Sequence, residues 1–333
     1  MILGSVSLSH RARVNLALLA LLAGAFLTGW LAFSYATAPA RWALVAHASA
    51  GVGILLLLPW KSMIARRGLR RPRPARWASI ALGVLVLVSI AGGLLHSSGA
   101  LVAWGAYTAM ELHVGAAIAA VPFAAWHVLA RPVRVRPSDL SRRLFLRTGA
   151  GLALASVSYA GGELALRASS LPGAGRRFTG SYEVGSFDPD AMPVSSWMFD
   201  AVPALDAAAW ALGYEALARF DDRVTAMLDC TGGFCSNQEW AGVRVDRLLA
   251  GRLAGAQSIS VVSATGYARR FPVEEASRLL LALRMGGRPL SAEHGFPARL
   301  VAPDRRGFWW VKWVVAVRPE PVPYWWQPPF PLQ

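Results

Sequence analysis

Five of the six histidines in this chain, His10, His47, His96, His113 and His127, fall within its first 127 residues, in sequence that is otherwise strongly apolar. A polar side chain in such surroundings is costly and calls for a reason. His47 and His113 are each flanked by small residues, in "HASAGVG" and "HVGAAIAA". Two imidazoles facing each other across a helical bundle are the ligand set of a low-spin b-type haem, and small neighbours leave room for a flat macrocycle. His127 lies fourteen residues beyond His113. On a helix that spacing returns to within about 40° of the same face, about 21 Å away, which suits a second, stacked haem. His96 is an alternative ligand or a contact to a propionate or quinone, and His10 stands just ahead of the first apolar run. Interfacial hydrogen bonding without haem is the other reading of all five.

The elements that must hold these histidines are long apolar helices. The chain has 333 residues, 55% of them hydrophobic, and a formal net charge of +15. Its arginines alternate with apolar runs instead of forming a patch within a polar domain, so the composition points to a membrane and away from nucleic acid. Five segments approach the roughly 20 residues needed to cross a bilayer: about Val14 to Phe33, Trp42 to Trp60, Trp77 to Leu95, Tyr107 to Leu129 and Leu144 to Leu166. Aromatic residues mark several of their ends, as expected at an interface. Three stretches, beginning at Arg11, Lys61 and Arg131, carry fifteen lysines and arginines between them, against Arg41 alone on the other side. Basic loops stay in the cytoplasm, so the N-terminus is expected there, with everything after about Ala168 outside. Residues 1–136 are thus read as a four-helix membrane domain, and 137–167 as a fifth helix. Residues 168–333 form an extracytoplasmic domain of mixed α/β or α+β type. In that domain "SISVVSA" and "WWVKWVVAV" have strand character and "EEASRLLLALRM" has helical spacing.

The membrane part resembles the small four-helix cytochrome b subunits of bacterial respiratory enzymes, in layout and histidines only. The stretch "SRRLFLRTGAGLALA", with Arg142 and Arg143 ahead of a small-residue apolar run, resembles a twin-arginine export signal and implies the twin-arginine export machinery as a partner.

The outer domain holds both cysteines, Cys230 and Cys235, which are too few for a disulfide framework and lack structural zinc spacing. Cys230 stands in "MLDCTGGFCSNQEWAGVRVDRLL", Met227 to Leu249, with the leucine pair expected at a helix start. A second stretch, "GGRPLSAEHGFPARLVAPDRRGFWWVKWV", runs from Gly286 to Val314. In this order the two resemble the sulfite oxidase family of molybdopterin enzymes, over roughly Tyr182 to Val317.

The resemblance implies Cys230 as the thiolate ligand of molybdenum, a soft donor suited to that metal. It implies His294, Arg299 and Lys312 as residues holding the pterin and its phosphate, where charge-assisted hydrogen bonds make chemical sense. Thr265 is implied as a hydroxyl contact, with backbone groups of Trp310 and Val311 joining it. Without the resemblance, Cys230 could be an inert thiol or pair with Cys235. Arg269, Arg270, Arg305 and Arg306 are candidates for binding an anionic substrate. No immunoglobulin-like module follows, and the resemblance extends to periplasmic methionine sulfoxide reductases served by a separate haem subunit.

The expected function is oxygen-atom transfer on a small sulfoxide-type or sulfite-type substrate, with electrons exchanged with the quinone pool through one or two haems. A molybdenum enzyme fed by a soluble carrier, and an anchored non-catalytic binding or assembly protein, are the alternatives.

Overall fold

The computed structural model describes residues 10–69, 76–101, 103–105, 107–130, 142–183, 205–207 and 210–331. Arg70, Arg71, Arg73, Arg131, Arg134 and Arg136 of the basic loops lie outside the described residues, as do the side chains of His10 and Arg143. The chain forms two compact units. One comprises Met1–Ala32 and Ala38–Gly180, the other Phe33–Thr37 and Ser181–Gln333. The division near residue 180 places the fifth helix and the residues after it with the helices, whereas the sequence suggests a boundary near 168.

The first unit is helical: α1 (His10–Ser34, whose last turn belongs to the second unit), α2 (Ala38–Leu69), α3 (Arg76–Ser98), a short hairpin of β1 (Ala103–Trp104) and β2 (Tyr107–Thr108), α4 (Ala109–Leu129) and α5 (Arg142–Arg167). The start of α4 is fixed by a capping box. The Glu111 amide donates to Thr108 Oγ1 at 3.1 Å, and the Thr108 amide donates to the Glu111 carboxylate at 2.7 Å. Small residues set the packing. A Cβ at Gly92 on α3 would fall 3.0 Å from the Ala109 carbonyl oxygen on α4, and one at Gly53 on α2 would touch Ala155 of α5 at 3.8 Å. Large apolar side chains such as Leu27, Val84, Leu87 and Leu94 point outward and are exposed.

Among the described residues four helices, α1 to α4, are long and apolar enough to cross a membrane. α5 forms where the fifth apolar segment is expected but is not one of the four. Its glycines, serines, Arg147 and Glu163 dilute its apolar character.

The second unit is built on two sheets. After β3 (Tyr182–Glu183), β4 (Leu205–Ala207), β5 (Trp210–Leu212) and the short α6 (Tyr214–Ala218) come β6 (Asp222–Asp229), β7 (Phe234–Arg244) and α7 (Val245–Leu248). They are followed by β8 (Ser258–Ser263), β9 (Ala268–Pro272), β10 (Leu280–Met285), β11 (Arg288–Pro289), β12 (Arg299–Val301) and β13 (Val314–Glu320). One sheet runs β11-β10-β7-β3, with β12 also on β10 and β6 also on β7; the other runs β5-β4-β13-β8-β9. The β3–β7 and β4–β13 pairs are parallel and the rest antiparallel. The core lies between Trp240, Val243, Leu281 and Leu283 of the first sheet and Ile259, Val261 and Val317 of the second.

Three local expectations need correcting. Glu274–Met285 is not a helix: a 3₁₀ turn at Val273–Glu275 leads to β10, because Leu280–Leu283 are all buried and their backbone pairs with β7 and β12. The strand expected over Trp309–Val317 starts only at Val314, after a 3₁₀ turn at Gly307–Trp309. The Leu248–Leu249 pair ends α7 instead of starting a helix.

Candidate functional site

Cys230 occupies the tight connection between β6 and β7. Its amide donates to the Phe234 carbonyl at 2.8 Å and its carbonyl accepts from the Gly233 amide at 3.1 Å, a closure that needs the positive φ of 102° at Gly233. The Gly232 amide donates to Cys230 Sγ at 3.3 Å, which orients the sulfur. Behind the loop, Arg306 forms a buried ion pair with Asp229 at 3.2 Å and donates to the Asp229 and Cys230 carbonyls, both at 3.3 Å. Ser181 Oγ donates to the Asp229 carboxylate at 2.7 Å. The cysteine therefore stands on a fixed backbone. Cys230 is partly exposed, Cys235 is buried, and both are free thiols, so the alternative of a bond between them is not realised.

Arg299, the first residue of β12, is buried. Its guanidinium lies between the indoles of Trp240 at 5.4 Å and Trp310 at 5.8 Å, and Nη1 donates to the His294 carbonyl at 3.1 Å. Its Nε is buried without a hydrogen-bond acceptor. Burial lowers its pKa to about 10, against the pull of Cys230. The Lys312 ammonium is lowered to about 8, first by burial and then by Arg299, with Cys230 and Glu293 acting in the opposite sense. Cys230 thus acts electrostatically on both cations.

Gly295 makes their approach feasible, since at its φ of 107° a Cβ would lie 3.1 Å from that of Lys312 and 3.3 Å from that of Arg299. His294 is buried, with Nδ1 2.8 Å from Ser291 Oγ. Trp313, next to Lys312, has a φ of 53°, unusual for a bulky residue. Its indole donates to the Ala292 carbonyl at 2.7 Å, and its own carbonyl accepts from the Ala264 amide at 2.8 Å, drawing in the β8–β9 turn that carries Thr265.

The Trp310 and Val311 amides donate to the Gly307 and Trp309 carbonyls at 3.0 and 3.1 Å. Trp310 also places its ring against Arg299. Of the four candidate anion-binding arginines, Arg270 pairs with Glu320, Arg305 with Glu275 and Arg306 with Asp229, while Arg269 donates to Tyr267 Oη and the Pro328 carbonyl. All four are committed within the fold. Trp240 and the Asp229–Arg306 pair lie within the quoted motifs, but their contacts cross from one motif to the other and could not be read from spacing.

In the helical unit, the rings of His47 on α2 and His113 on α4 lie 5.6 Å apart, nearly perpendicular at 83°. His47 Nδ1 is 2.7 Å from the Ala25 carbonyl oxygen and His113 Nδ1 is 2.6 Å from that of Ser89, contacts that place the proton on Nδ1 and leave the Nε2 lone pair for a metal. One turn beyond each carbonyl sits a glycine against the same ring. A Cβ at Gly29 would fall 2.7 Å from His47 Nδ1, and one at Gly93 3.0 Å from His113 Nδ1. His127 Nδ1 meets Ser79 Oγ of α3 at 3.1 Å. His96, at the end of α3, lies against Gly180, whose hypothetical Cβ would be 2.2 Å from its Nε2.

A fold of two mixed sheets that carries a partly exposed thiol and a buried guanidinium and ammonium has the donor types that could hold an anionic cofactor and a soft metal. Residues 195–324 match the family model described as oxidoreductase molybdopterin binding domain. Over those residues the second unit is thus similar to molybdopterin-binding oxidoreductase domains. The chain is similar to mitochondrial sulfite oxidase of Homo sapiens, 35% identical over 111 residues, which cover 28% of this chain and 20% of that protein. It is also similar to mitochondrial sulfite oxidase of Mus musculus, 34% identical over 107 residues with the same shares. The match spans about a fifth of the length of these relatives. Among solved structures, the sulfane dehydrogenase SoxCD from Paracoccus pantotrophus matches 36% of this chain and 38% of that chain at 28% identity, with a TM-score of 0.34.

Proposed function

We propose that this chain is a membrane-anchored molybdopterin-dependent oxidoreductase that performs oxygen-atom transfer on a small extracytoplasmic substrate of the sulfoxide or sulfite type. The observation that carries the reading is Arg299, a buried guanidinium with an unsatisfied Nε beside Lys312 and Cys230. Two desolvated cations near a thiol are costly alone and become favourable when a phosphate and a metal arrive. These residues fit molybdopterin. Cys230 would hold the molybdenum, Arg299 and Lys312 the phosphate, and His294 and Thr265 the rest of the pterin. The bound cofactor supplies the two-electron oxygen-atom chemistry; the chain positions it and tunes its surroundings. Arg306 and Ser181 keep the Cys230 backbone in place, and the Gly232 amide donates to its sulfur.

A b-type haem, when bound, would be held by His47 and His113 and would supply one-electron exchange with the quinone pool. The two carbonyl-anchored Nδ1 atoms support this, as an imidazole with its far nitrogen tied keeps one orientation toward iron. His127 is the candidate ligand of a second haem, and His96 an alternative ligand of the first or a contact to a propionate or quinone. The four apolar helices anchor the chain in a bacterial inner membrane with its N-terminus cytoplasmic; α5 crosses as a fifth, and the molybdopterin domain is exported folded by the twin-arginine route.

Molybdenum and haem analysis of the purified full chain tests the reading. We expect molybdenum in the wild type and its loss in Cys230→Ala, and a reduced-minus-oxidised b-type band that disappears in His47→Ala and in His113→Ala. Molybdenum retained unchanged in Cys230→Ala would sink the catalytic assignment. Loss of the haem band alone from the picture would leave an enzyme fed by a soluble carrier.

A further inference from the structure

The second unit contains a piece of chain far from the rest of it in sequence, Phe33–Thr37. Tyr35 forms an antiparallel bridge with Arg305. On either side of it the Arg306 amide donates to the Ser34 carbonyl at 3.1 Å, and the Ala36 amide donates to the Asp304 carbonyl at 2.9 Å. Side chains reinforce the seam. Phe33 stacks on Phe308 with centroids 5.3 Å apart and touches Phe330 at 5.9 Å, while the Arg305 guanidinium lies 5.2 Å from the Tyr35 ring centre. Ser34 is buried.

The opposite edge of the same turn carries the cysteine loop. Arg306 bridges in parallel to Asp229, its guanidinium holds the Asp229 and Cys230 carbonyls, and a Cβ at Gly307 would lie 2.9 Å from Cys230 Cα. Asp304–Gly307 is therefore the middle rung of a three-stranded miniature, with Phe33–Thr37 on one side and Asp229–Cys230 on the other. Asp304 enters it with a φ of 67°, a conformation that isolated aspartate seldom keeps.

We propose that Phe33–Thr37 is a positioning strap for the metal-ligand loop: by pairing with Asp304–Arg306 it fixes the turn against which Cys230 is set. The inference rests on the proposed role of Cys230 and adds Phe33, Tyr35 and Ala36 as positioning residues that touch neither metal nor substrate.

The test uses the full chain, first produced without molybdenum, and follows alkylation of Cys230 by iodoacetamide, located by mass spectrometry. Phe33→Ala and Ala36→Pro, which removes the amide donated to Asp304, should each raise the rate about five-fold through local opening of the turn. Val261→Ala, a core truncation in β8, should lower the unfolding midpoint without that acceleration. In metal-loaded protein the strap variants should shift the electron paramagnetic resonance signal of the molybdenum, and Phe33→Leu should restore both readouts. Should Ala36→Pro not fold, Phe33→Ala and Tyr35→Ala make the same comparison. Wild-type alkylation rates in the folded strap variants, or equal acceleration in Val261→Ala, would overturn the strap. A chain that never takes up molybdenum overturns the proposed function while the alkylation rates still decide the strap.

Discussion

Arg299 has no carboxylate partner among the described residues, only two indole faces, a carbonyl and the distant pull of Cys230. Removing such a charge relieves the metal-free fold, so Arg299→Met should stabilise the cofactor-free domain by about 2 kcal/mol in chemical denaturation while abolishing molybdopterin retention. A surface arginine would show neither effect. Lys312 gives a second prediction with a definite sign. Its pKa is near 8 in the folded chain against 10.5 for the free group. Between those values the unfolded chain binds more protons, so the cofactor-free protein should gain stability as pH rises from about 8 towards 10. Lys312→Met should remove that slope, and the difference between the two proteins' unfolding midpoints across pH 7 to 10 measures it. Cys230, Arg299 and Lys312 each stand in a compact motif, which is what offers them as candidates from sequence. The aromatic faces that hold Arg299 were not legible there, because Trp240 reaches it only through sheet pairing.

At the level of elements, β7 and β10 approach so closely at Gly242 that a Cβ there would lie 2.0 Å from the Leu281 carbonyl oxygen. Gly242→Ala must part the two strands and should cost about 3 kcal/mol, seen as a lower denaturation midpoint of the outer domain. The strand opposite was misread as a helix for a related reason. A strand buried on both faces reads as a continuous apolar run with no alternation, and such runs do not reveal their period. The helical unit was easier, because length and apolarity define its elements directly. Its glycines still carry information that composition hides. Gly29 and Gly93 each stand one turn after the carbonyl that anchors a histidine, so Gly29→Val or Gly93→Val should tilt the neighbouring ring. Under the haem proposal, the expected result is a weakened or shifted b-type band with helix content intact by circular dichroism; an unchanged spectrum would count against ligation by that histidine.

For the molecule as a whole, the distribution of arginines sets the proposed orientation, and the pair Arg142 and Arg143 at the start of α5 sets the proposed export route. Arg142→Lys combined with Arg143→Lys keeps the charge and removes the arginine identity, so it should leave the outer domain on the cytoplasmic side, protected from protease added to spheroplasts. Normal exposure would mean that the pair acts only as another positive flank. The two-part organisation was legible from composition alone, but the membership of Phe33–Thr37 was not, because nothing in an apolar helix end announces a partner beyond residue 300.

That membership makes the outer domain discontinuous in the chain. The strap is synthesised long before Asp304, with Ala38–Gly180 intervening, so its closure is a contact of very high sequence separation, the kind formed late and at the greatest loop-entropy cost. A fragment cut at Ser181 would lack one edge strand of the cysteine turn, and under the proposed topology that strand joins the domain only after its export.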